Sequence, residues 1–220
     1  MNYQPIIFDM DGTLLDTTQG LMVAIQKGLS GFQLKKELKP EQFAAEWGGD
    51  LVAMLIDFVL EHSERVLTRQ MVNNELLRHY DRAIWDAYVK PFDGVVSLLQ
   101  ALKAHNIPLW VFSNSPDTIA SALIEHFFPN TFAHVIGLSA QVKKPDATAI
   151  RHLFAQQHIN PAHALLVGDT LTDCQTAKNG GTSFAAAVWD KSPQVNLLIA
   201  HEPQFVVETP FALQSLILAP

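Results

Sequence analysis

Two aspartates near the start of the chain have the spacing of a working carboxylate pair. Asp9 and Asp11 follow the apolar run Pro5–Phe8 and precede Gly12. Residues two apart on an extended chain point to the same side, so these carboxylates would lie together. Such a pair can divide the roles of nucleophile and general acid/base, provided that a cation offsets their repulsion. An Asp-Gly turn that closes a hairpin explains the same pattern, but no partner strand follows it.

A second polar group, Ser113-Asn114-Ser115-Pro116, ends another apolar run. Ser115 followed by Pro116 predicts an N-cap and a first helical position. The free N–H groups of a helix N-terminus favour anions, which makes Ser113 and Asn114 candidate substrate-binding residues beside that terminus. Taken alone, capping accounts for these residues better than function does.

Lys144 is the candidate cation of the chain. It lies between a predicted strand at Ala133–Ile136 and a helix that Pro145 can start. A lysine aimed at the strand ends would offset the negative charge where a phosphate meets Asp9. The neighbouring Lys143 is interpreted as an ordinary solvated surface charge.

Asp169 and Asp173 have a spacing that suits metal coordination. Asp169 ends an apolar run, and on a helix that starts near Leu171 the side chain of Asp173 would project back toward Asp169. Carboxylate ligands without His or Cys suit Mg²⁺. The alternative is that both are N-terminal helix acids stabilised by the helix dipole.

These four segments share one topological position, the carboxyl end of a predicted parallel strand, where open α/β sheets bind ligands. Short β-rich runs alternate with amphipathic helical segments, which predicts an α/β fold with a doubly wound, Rossmann-like parallel sheet. The predicted helices include Val95–Ala104, Thr118–Phe127 and Ala147–Gln156. The predicted strands are Pro5–Phe8, Pro108–Phe112, Ala133–Ile136, Ala164–Val167, Phe184–Val188 and Phe205–Val207.

One region lacks convincing strands. Residues 17–88 show only helical periodicity and predict a small inserted all-helical cap, which leaves residues 1–16 and 89–220 as the core domain. Because the insertion follows the first strand, we expect it to act as a lid over the strand ends. Three apolar stripes would form its core: Leu21, Ile25 and Leu29; Leu51, Leu55, Phe58 and Val59; and Met71, Leu77, Tyr80, Ile84 and Trp85.

Within that insertion, Trp47, Gly48, Gly49 and Asp50 are the candidate substrate-binding residues, since two glycines give a mobile loop flanked by an aromatic and an acidic side chain. An ordinary connection between two helices explains the same four residues equally well.

Composition excludes several classes of protein. The 220-residue chain has a formal net charge of −7, which argues against nucleic acid as a partner. Its single cysteine, Cys174, cannot form an internal disulfide, and no signal-peptide pattern opens the sequence, so a cytoplasmic location is expected. The apolar runs are much shorter than the roughly 20 residues of a membrane-spanning helix. The histidines show no zinc-site spacing.

Taken together, these motifs resemble those of the haloacid dehalogenase superfamily, in the branch of phosphoglycolate-phosphatase-like proteins with a helical cap. The resemblance covers almost the whole chain. It rests on the segments Phe8–Thr13, Pro91–Val95, Ser113-Asn114, Lys144-Pro145 and Gly168-Asp169 with Asp173.

This resemblance implies an enzyme, a magnesium-dependent phosphatase that acts on a small phosphorylated metabolite. Asp9 would attack phosphorus to form an aspartyl-phosphate, and Asp11 would serve as acid and then as base. The metal residues would be Asp9, Asp11 through its backbone carbonyl, Asp169 and Asp173, the last through water or by orienting Lys144. Ser113, the Asn114 backbone and Lys144 would hold the phosphoryl oxygens.

Several alternatives remain at this point. A carbon–halogen hydrolase or a phosphonate-cleaving enzyme is disfavoured by the acid at position 11. A phosphomutase would keep every motif, and a binding protein on the same scaffold would normally lose a nucleophile or a metal ligand. The resemblance is compatible with phosphoglycolate, sugar phosphates, nucleotides or pyrophosphate as substrate. A monomer or weak homodimer is expected.

Overall fold

The computed structural model describes residues 3–36, 51–139, 141–190 and 195–219. The chain separates into two compact units, one formed by Met1–Asp16 with Pro91–Pro220 and the other by Thr17–Lys90. The second unit spans the predicted cap, residues 17–88, and extends two residues further. The role of this unit as a cap and its action as a lid stay predictions.

The first unit is built on a parallel sheet. The strands in the part of the chain that the structure describes are β1 (Ile6–Phe8), β2 (Leu15–Asp16), β3 (Lys90–Pro91), β4 (Leu109–Pro116), β5 (His134–Leu138), β6 (Leu165–Gly168), β7 (Ser183–Ala187) and β8 (Phe205–Val207). Six of them form one sheet in the order β5-β4-β1-β6-β7-β8, with every neighbouring pair parallel. β2 pairs with β3 in a separate two-stranded sheet. The six predicted strands are thereby confirmed.

Helices surround the sheet and make up most of the second unit. Within the described ranges they are α1 (Thr18–Ser30), α2 (Leu51–His62), α3 (Arg69–Arg78), α4 (Arg82–Tyr88), α5 (Val95–Ala104), α6 (Asp117–Phe127), α7 (Thr148–Gln156), α8 (Leu171–Gly180), α9 (Val195–Ala200) and α10 (Pro210–Leu218). A 3₁₀ turn, Pro161–His163, precedes β6.

The central strands are apolar without alternation because both faces of the sheet are covered. All three residues of β1 are fully buried. Ile7 packs in one cluster with Phe154 of α7 and Ala177 of α8, whereas the next residue, Phe8, points to the other face and meets the ring of Phe132. Continuous apolar strands are typical of parallel sheets with two covered faces.

Two predicted helix starts are wrong. β4 continues through Pro116 and α6 begins at Asp117, because the Ser115 hydroxyl bonds to the carboxylate of Asp11 and caps no helix. After Pro145 the chain makes a turn in which the Asp146 carboxylate accepts from the backbone N–H and the hydroxyl of Thr148, so α7 begins only there.

The second unit has its own apolar core. The residues Ile25, Leu55 and Val59 are buried together, as the stripes predict. On α3 the prediction is wrong, because Met71 is 49% exposed and the core residues are Val72 and Leu76. Thr68 caps α3 by accepting from the Met71 N–H. The buried pair on this helix is Val72 and Leu76, four residues apart on one face, in place of the predicted Met71 and Leu77.

Candidate active site

The candidate residues of the first unit meet at the carboxyl edge of the sheet. Asp9 follows β1, Ser113 lies in β4, and Asp169 follows β6. Because β1 pairs with β4 on one side and with β6 on the other, these three positions are neighbours. The Asp9 N–H donates to the Val167 carbonyl at 2.8 Å, which extends the pairing of β1 with β6 up to the carboxylate.

Lys144 is buried between two of the carboxylates. Its Nζ lies 2.7 Å from Asp9 Oδ1 and 2.6 Å from Asp173 Oδ1, and the residue is only 3% exposed. Burial opposes the charge of this ammonium group, but the carboxylates of Asp173 and Asp9 outweigh that effect and raise the pKa of Lys144 above its ordinary value. Lys144 is therefore a permanent positive charge inside the site.

The acids carry more negative charge than Lys144 can offset. Burial, and after it the charge of Asp173, raises the pKa of Asp9 from 3.8 to about 7 despite the nearby ammonium group. Burial, followed by the charges of Asp9 and Asp173, also raises the pKa of Asp169 well above its ordinary value. The site as folded therefore favours either protons or an added cation.

One carboxylate oxygen of Asp169 accepts no hydrogen bond from the described residues. Asp169 is fully buried, and its Oδ1 accepts a hydrogen bond from the Thr13 hydroxyl at 2.8 Å. Its Oδ2 is buried and has no hydrogen-bond partner among the residues that the structure describes. Since a buried acceptor without a partner costs about 1–3 kcal/mol, a ligand for this oxygen is expected.

The acidic cluster is compatible with a metal ion. Asp9, Asp169 and Asp173 each offer an oxygen, and these oxygens lie within 4.8 Å of one another. A ligand set made only of oxygens suits a hard divalent cation. Together with the unpartnered Asp169 oxygen, this chemistry fits the predicted metal site.

Asp173 differs from the other two acids because both of its oxygens are already engaged. Oδ1 accepts from Lys144, and Oδ2 accepts from the backbone N–H and the hydroxyl of Thr170 at 3.1 and 2.5 Å. The Thr170 hydroxyl in turn accepts from the Asp173 N–H, which completes a capping box at the start of α8. The helix start thus fixes the carboxylate that holds Lys144.

Two serine hydroxyls of β4 hold the carboxylate of Asp11. Its Oδ2 accepts from Ser115 Oγ at 2.7 Å and from Ser113 Oγ at 3.4 Å, and the residue is only partly buried. The bulged end of β4 therefore orients a carboxylate that retains access to solvent.

Asn114 contacts the backbone of Lys144. Its side-chain oxygen accepts from the Lys144 N–H at 2.8 Å, and its Nδ2 donates to the Lys144 carbonyl at 3.2 Å. This two-point contact joins β4 to the loop that carries the buried ammonium group. The predicted substrate contact concerned the backbone of Asn114, which these two bonds leave unaffected.

The sequence motifs do not identify every residue that the structure places at the site. Thr13 and Ser115 bond to Asp169 and Asp11, and Trp189 donates its indole N–H to the Thr13 carbonyl at 3.0 Å. Asp190 follows Trp189, and burial and then the charge of Asp16 raise the pKa of Asp190 to about 6. Trp189 and Asp190 follow the carboxyl end of β7. Ligands bind at the carboxyl ends of parallel strands, and this argument, which indicates Asp9 and Asp169, indicates these two residues as well.

The predicted substrate-binding residues Trp47, Gly48, Gly49 and Asp50 lie outside the described residues. Among the residues that are described, no helix is long and apolar enough to cross a membrane.

The sequence of the chain is similar to those of known proteins. The haloacid dehalogenase-like hydrolase family matches residues 6–187. The chain belongs to this family. It is 30% identical over 188 residues to the phosphoglycolate phosphatase of Psychrobacter arcticus, with 81% of this chain and 80% of that protein aligned. It is 28% identical over 207 residues to the pyrophosphatase PpaX of Listeria innocua, with 92% and 91% aligned.

The fold is also shared with solved structures. The predicted phosphoglycolate phosphatase of Haemophilus somnus superimposes with a TM-score of 0.79 at 22% identity, over 98% of each chain. These findings confirm the predicted fold class, the haloacid dehalogenase-like family and the enzyme class, a hydrolase of the phosphatase type.

Proposed function

We propose that this haloacid dehalogenase-like hydrolase is a magnesium-dependent phosphatase that cleaves the phosphate ester of a small metabolite through an aspartyl-phosphate on Asp9. The observation that carries the proposal is the contact of one buried ammonium group, Lys144, with Asp9 and Asp173 beside the unpartnered oxygen of Asp169. This set combines a nucleophile, a positive charge and a candidate cation ligand.

The carboxylates of Asp9 and Asp169 and the backbone carbonyl of Asp11 would hold the magnesium ion. A bound divalent cation supplies positive charge that keeps neighbouring carboxylates ionised and offsets the charge of a phosphate dianion. Asp173 acts by positioning Lys144, because both of its oxygens already accept hydrogen bonds within the protein.

Asp9 and Asp11 divide the chemistry. An oxygen of Asp9 attacks phosphorus, the bond from phosphorus to the leaving oxygen breaks, and Asp11 gives its proton to that oxygen. Asp11 then takes a proton from water as the water oxygen attacks the phosphorus of the aspartyl-phosphate, which releases phosphate and regenerates Asp9. The Ser115 hydroxyl keeps the Asp11 carboxylate in place through both steps.

The phosphoryl oxygens would contact Lys144, Ser113 and the backbone N–H of Asn114. The ammonium group of Lys144 stabilises the negative charge that the transferring group carries. The two side-chain hydrogen bonds of Asn114 keep the Lys144 loop at the required distance from β4.

The substrate is a small phosphorylated metabolite. Relatives named for phosphoglycolate and for pyrophosphate support these two compounds as the first to test. Trp47, Gly48, Gly49 and Asp50 remain our proposal for substrate selection by the inserted unit, and we expect no nucleic-acid partner and a monomer or weak homodimer.

A panel of phosphometabolites with Mg²⁺ tests the function directly, with p-nitrophenyl phosphate as the generic substrate. Asp9→Asn should lower turnover by about a thousandfold or more, whereas Glu125→Gln, which neutralises an exposed acid on α6, should leave it unchanged. A chelator should stop the wild type and Mg²⁺ should restore it. Near-normal turnover by Asp9→Asn would end the covalent proposal.

The intermediate itself is tested with Asp11→Asn, which lacks the base for the second step. Mixed with p-nitrophenyl phosphate and quenched in acid, this variant should gain the mass of one phosphoryl group, and peptide mapping should locate it on Asp9. A phosphoryl group on another residue, or on none, would refute the mechanism.

A further inference from the structure

Trp189 lies at the carboxyl edge of the sheet, outside the residues assigned above to catalysis. It follows β7 by two positions, and β7 pairs with β6, the strand that leads to Asp169. The Val188 N–H bonds to the Val207 carbonyl at 3.0 Å, so the segment is still held by the sheet where Trp189 begins. The half-buried indole is thus attached to a fixed part of the fold.

The indole reaches the loop that carries the nucleophile. Its Nε1–H donates to the backbone carbonyl of Thr13 at 3.0 Å. Thr13 is fully buried, and its hydroxyl donates to Asp169 Oδ1 at 2.8 Å. Two hydrogen bonds in series therefore connect Trp189 to the carboxylate whose second oxygen lacks a partner among the described residues.

The backbone at Gly12 and Thr13 has little room to move relative to the Asp169 carboxylate. Gly12 has φ +81°, and a methyl group built at this glycine would overlap the Asp169 carboxylate. The backbone of Gly12 and Thr13 thus rests directly on the acid, and a small shift of Thr13 would rotate the carboxylate or break its bond. Hydrogen bonds that orient a metal ligand commonly affect metal affinity by about 10–100-fold.

We propose that Trp189 is a positioning residue for the metal site: its indole N–H fixes the Thr13 carbonyl, and Thr13 thereby fixes the Asp169 carboxylate with Oδ2 left for the cation. The inference rests on the proposed function because it requires that Asp169 bind the metal. The indole acts through Thr13 and touches neither substrate nor cation.

The competing interpretation is that Trp189 is only a packing residue. Packing would make its loss visible as lower stability in the absence of metal, with no specific change in metal affinity. Positioning would make its loss visible as weaker metal binding by a folded protein. Direct metal binding, measured separately from activity, distinguishes the two.

The chain offers a matched control in Trp110. Its indole nitrogen is buried and bonds to no partner among the described residues, and its ring packs against Phe154. Trp189→Phe and Trp110→Phe make the same chemical change, but only the first removes an indole hydrogen bond that leads to Asp169.

The experiment is titration of metal-free protein with Mn²⁺, followed by electron paramagnetic resonance of the free ion, with Mg²⁺ as competitor. Trp189→Phe should bind both ions about three- to tenfold more weakly than the wild type, and Trp110→Phe should bind them as the wild type does. Thr13→Val should weaken binding too, and adding Trp189→Phe to it should cause little further loss, because the path is already interrupted. Thermal unfolding without metal checks that each variant is folded.

Unchanged binding by folded Trp189→Phe, or full additivity with Thr13→Val, would overturn the inference. If the Phe variant does not fold, benzothienylalanine at position 189 replaces the indole N–H by sulfur in a ring of similar shape, and the same criterion applies. Failure of the wild type to bind Mn²⁺ or Mg²⁺ would instead refute the proposed metal site, so the two failures are distinguishable.

Discussion

Without a metal ion, the protein should lose stability as the pH rises, because the acids of the site are buried with too little positive charge. The clearest case is Asp9, whose pKa is raised from 3.8 to about 7 by burial and by the charge of Asp173. Between these two values the folded protein binds a proton at Asp9 that the unfolded chain has released. The contribution of Asp9 is therefore fully present below its unfolded pKa and is lost as the pH rises through its folded pKa.

The size of this loss follows from the shift. From about pH 5 to about pH 9, titration of Asp9 in the folded state lowers the free energy of unfolding by about 3 kcal/mol. Asp9 is only 6% exposed, so solvent screens this effect little. Asp169, whose pKa is raised in the same direction, adds to the loss. A change of about 3 kcal/mol corresponds to roughly 6–12 °C in the unfolding temperature of a protein of this size.

Urea unfolding of chelator-treated protein across this pH range measures the effect, and Asp9→Asn isolates it. The variant has no carboxyl group to titrate at position 9, so its stability should fall less steeply and should exceed that of the wild type at the alkaline end. Saturating Mg²⁺ should restore wild-type stability there, since a ligand that binds only the folded state stabilises it. Equal slopes for wild type and variant, or no stabilisation by Mg²⁺, would refute the reasoning.

Three further substitutions test separate contacts. Lys144→Met removes the ammonium group that pairs with Asp9 and Asp173 and should lower the metal-free stability by about 3 kcal/mol near neutral pH. The control Lys143→Met, at the exposed neighbouring residue, should cost almost nothing. A small loss of stability in Lys144→Met would contradict the ion pairs. Asn114→Ala removes both side-chain bonds to the Lys144 backbone and should reduce kcat about thirtyfold, for a loss of roughly 2 kcal/mol; normal turnover would show that the Lys144 loop keeps its position without these bonds. Asp190→Asn should stabilise the protein by about 1 kcal/mol above about pH 7, because the raised pKa of Asp190 means that the folded protein disfavours the ionised carboxylate. This gain should vanish by about pH 4, and a gain that persists there would point to another cause.

The sequence predicts the sheet and its functional edge well because both depend on local patterns. Each central strand is a short apolar run, and polar residues follow it wherever the strand end meets solvent or ligand. Asp9 and Asp169 directly follow β1 and β6 as predicted, whereas Lys144 lies six residues beyond the end of β5 and still brings its ammonium group to Asp9. The order of the strands follows no local pattern, since it depends on contacts between distant segments.

The details that the sequence missed are tertiary contacts that override local preferences. Ser115 followed by Pro116 has the pattern of a helix cap, yet the carboxylate of Asp11, more than a hundred positions earlier, takes its hydroxyl. The bond from Trp189 to Thr13 joins residues 176 positions apart. By contrast, Thr170 and Asp173 form a capping box with a local signature that a scan for Thr-x-x-Asp could have found.

The charge balance of the site favours a metal centre over a structural salt bridge. A buried salt bridge would match its charges, whereas the described residues place one ammonium group, that of Lys144, against Asp9 and Asp173, with Asp169 as a third buried acid in the same cluster. Two like charges separated by about 5 Å repel by roughly 3 kcal/mol at an effective dielectric of 20, so three ionised acids around one cation cost stability. Protons relieve this repulsion in the metal-free protein, and burial first, followed by the neighbouring carboxylate charges, raises the pKa values of Asp9 and Asp169. In the mechanism that we propose, a divalent cation would relieve it while leaving Asp9 ionised, as attack on phosphorus by this carboxylate requires.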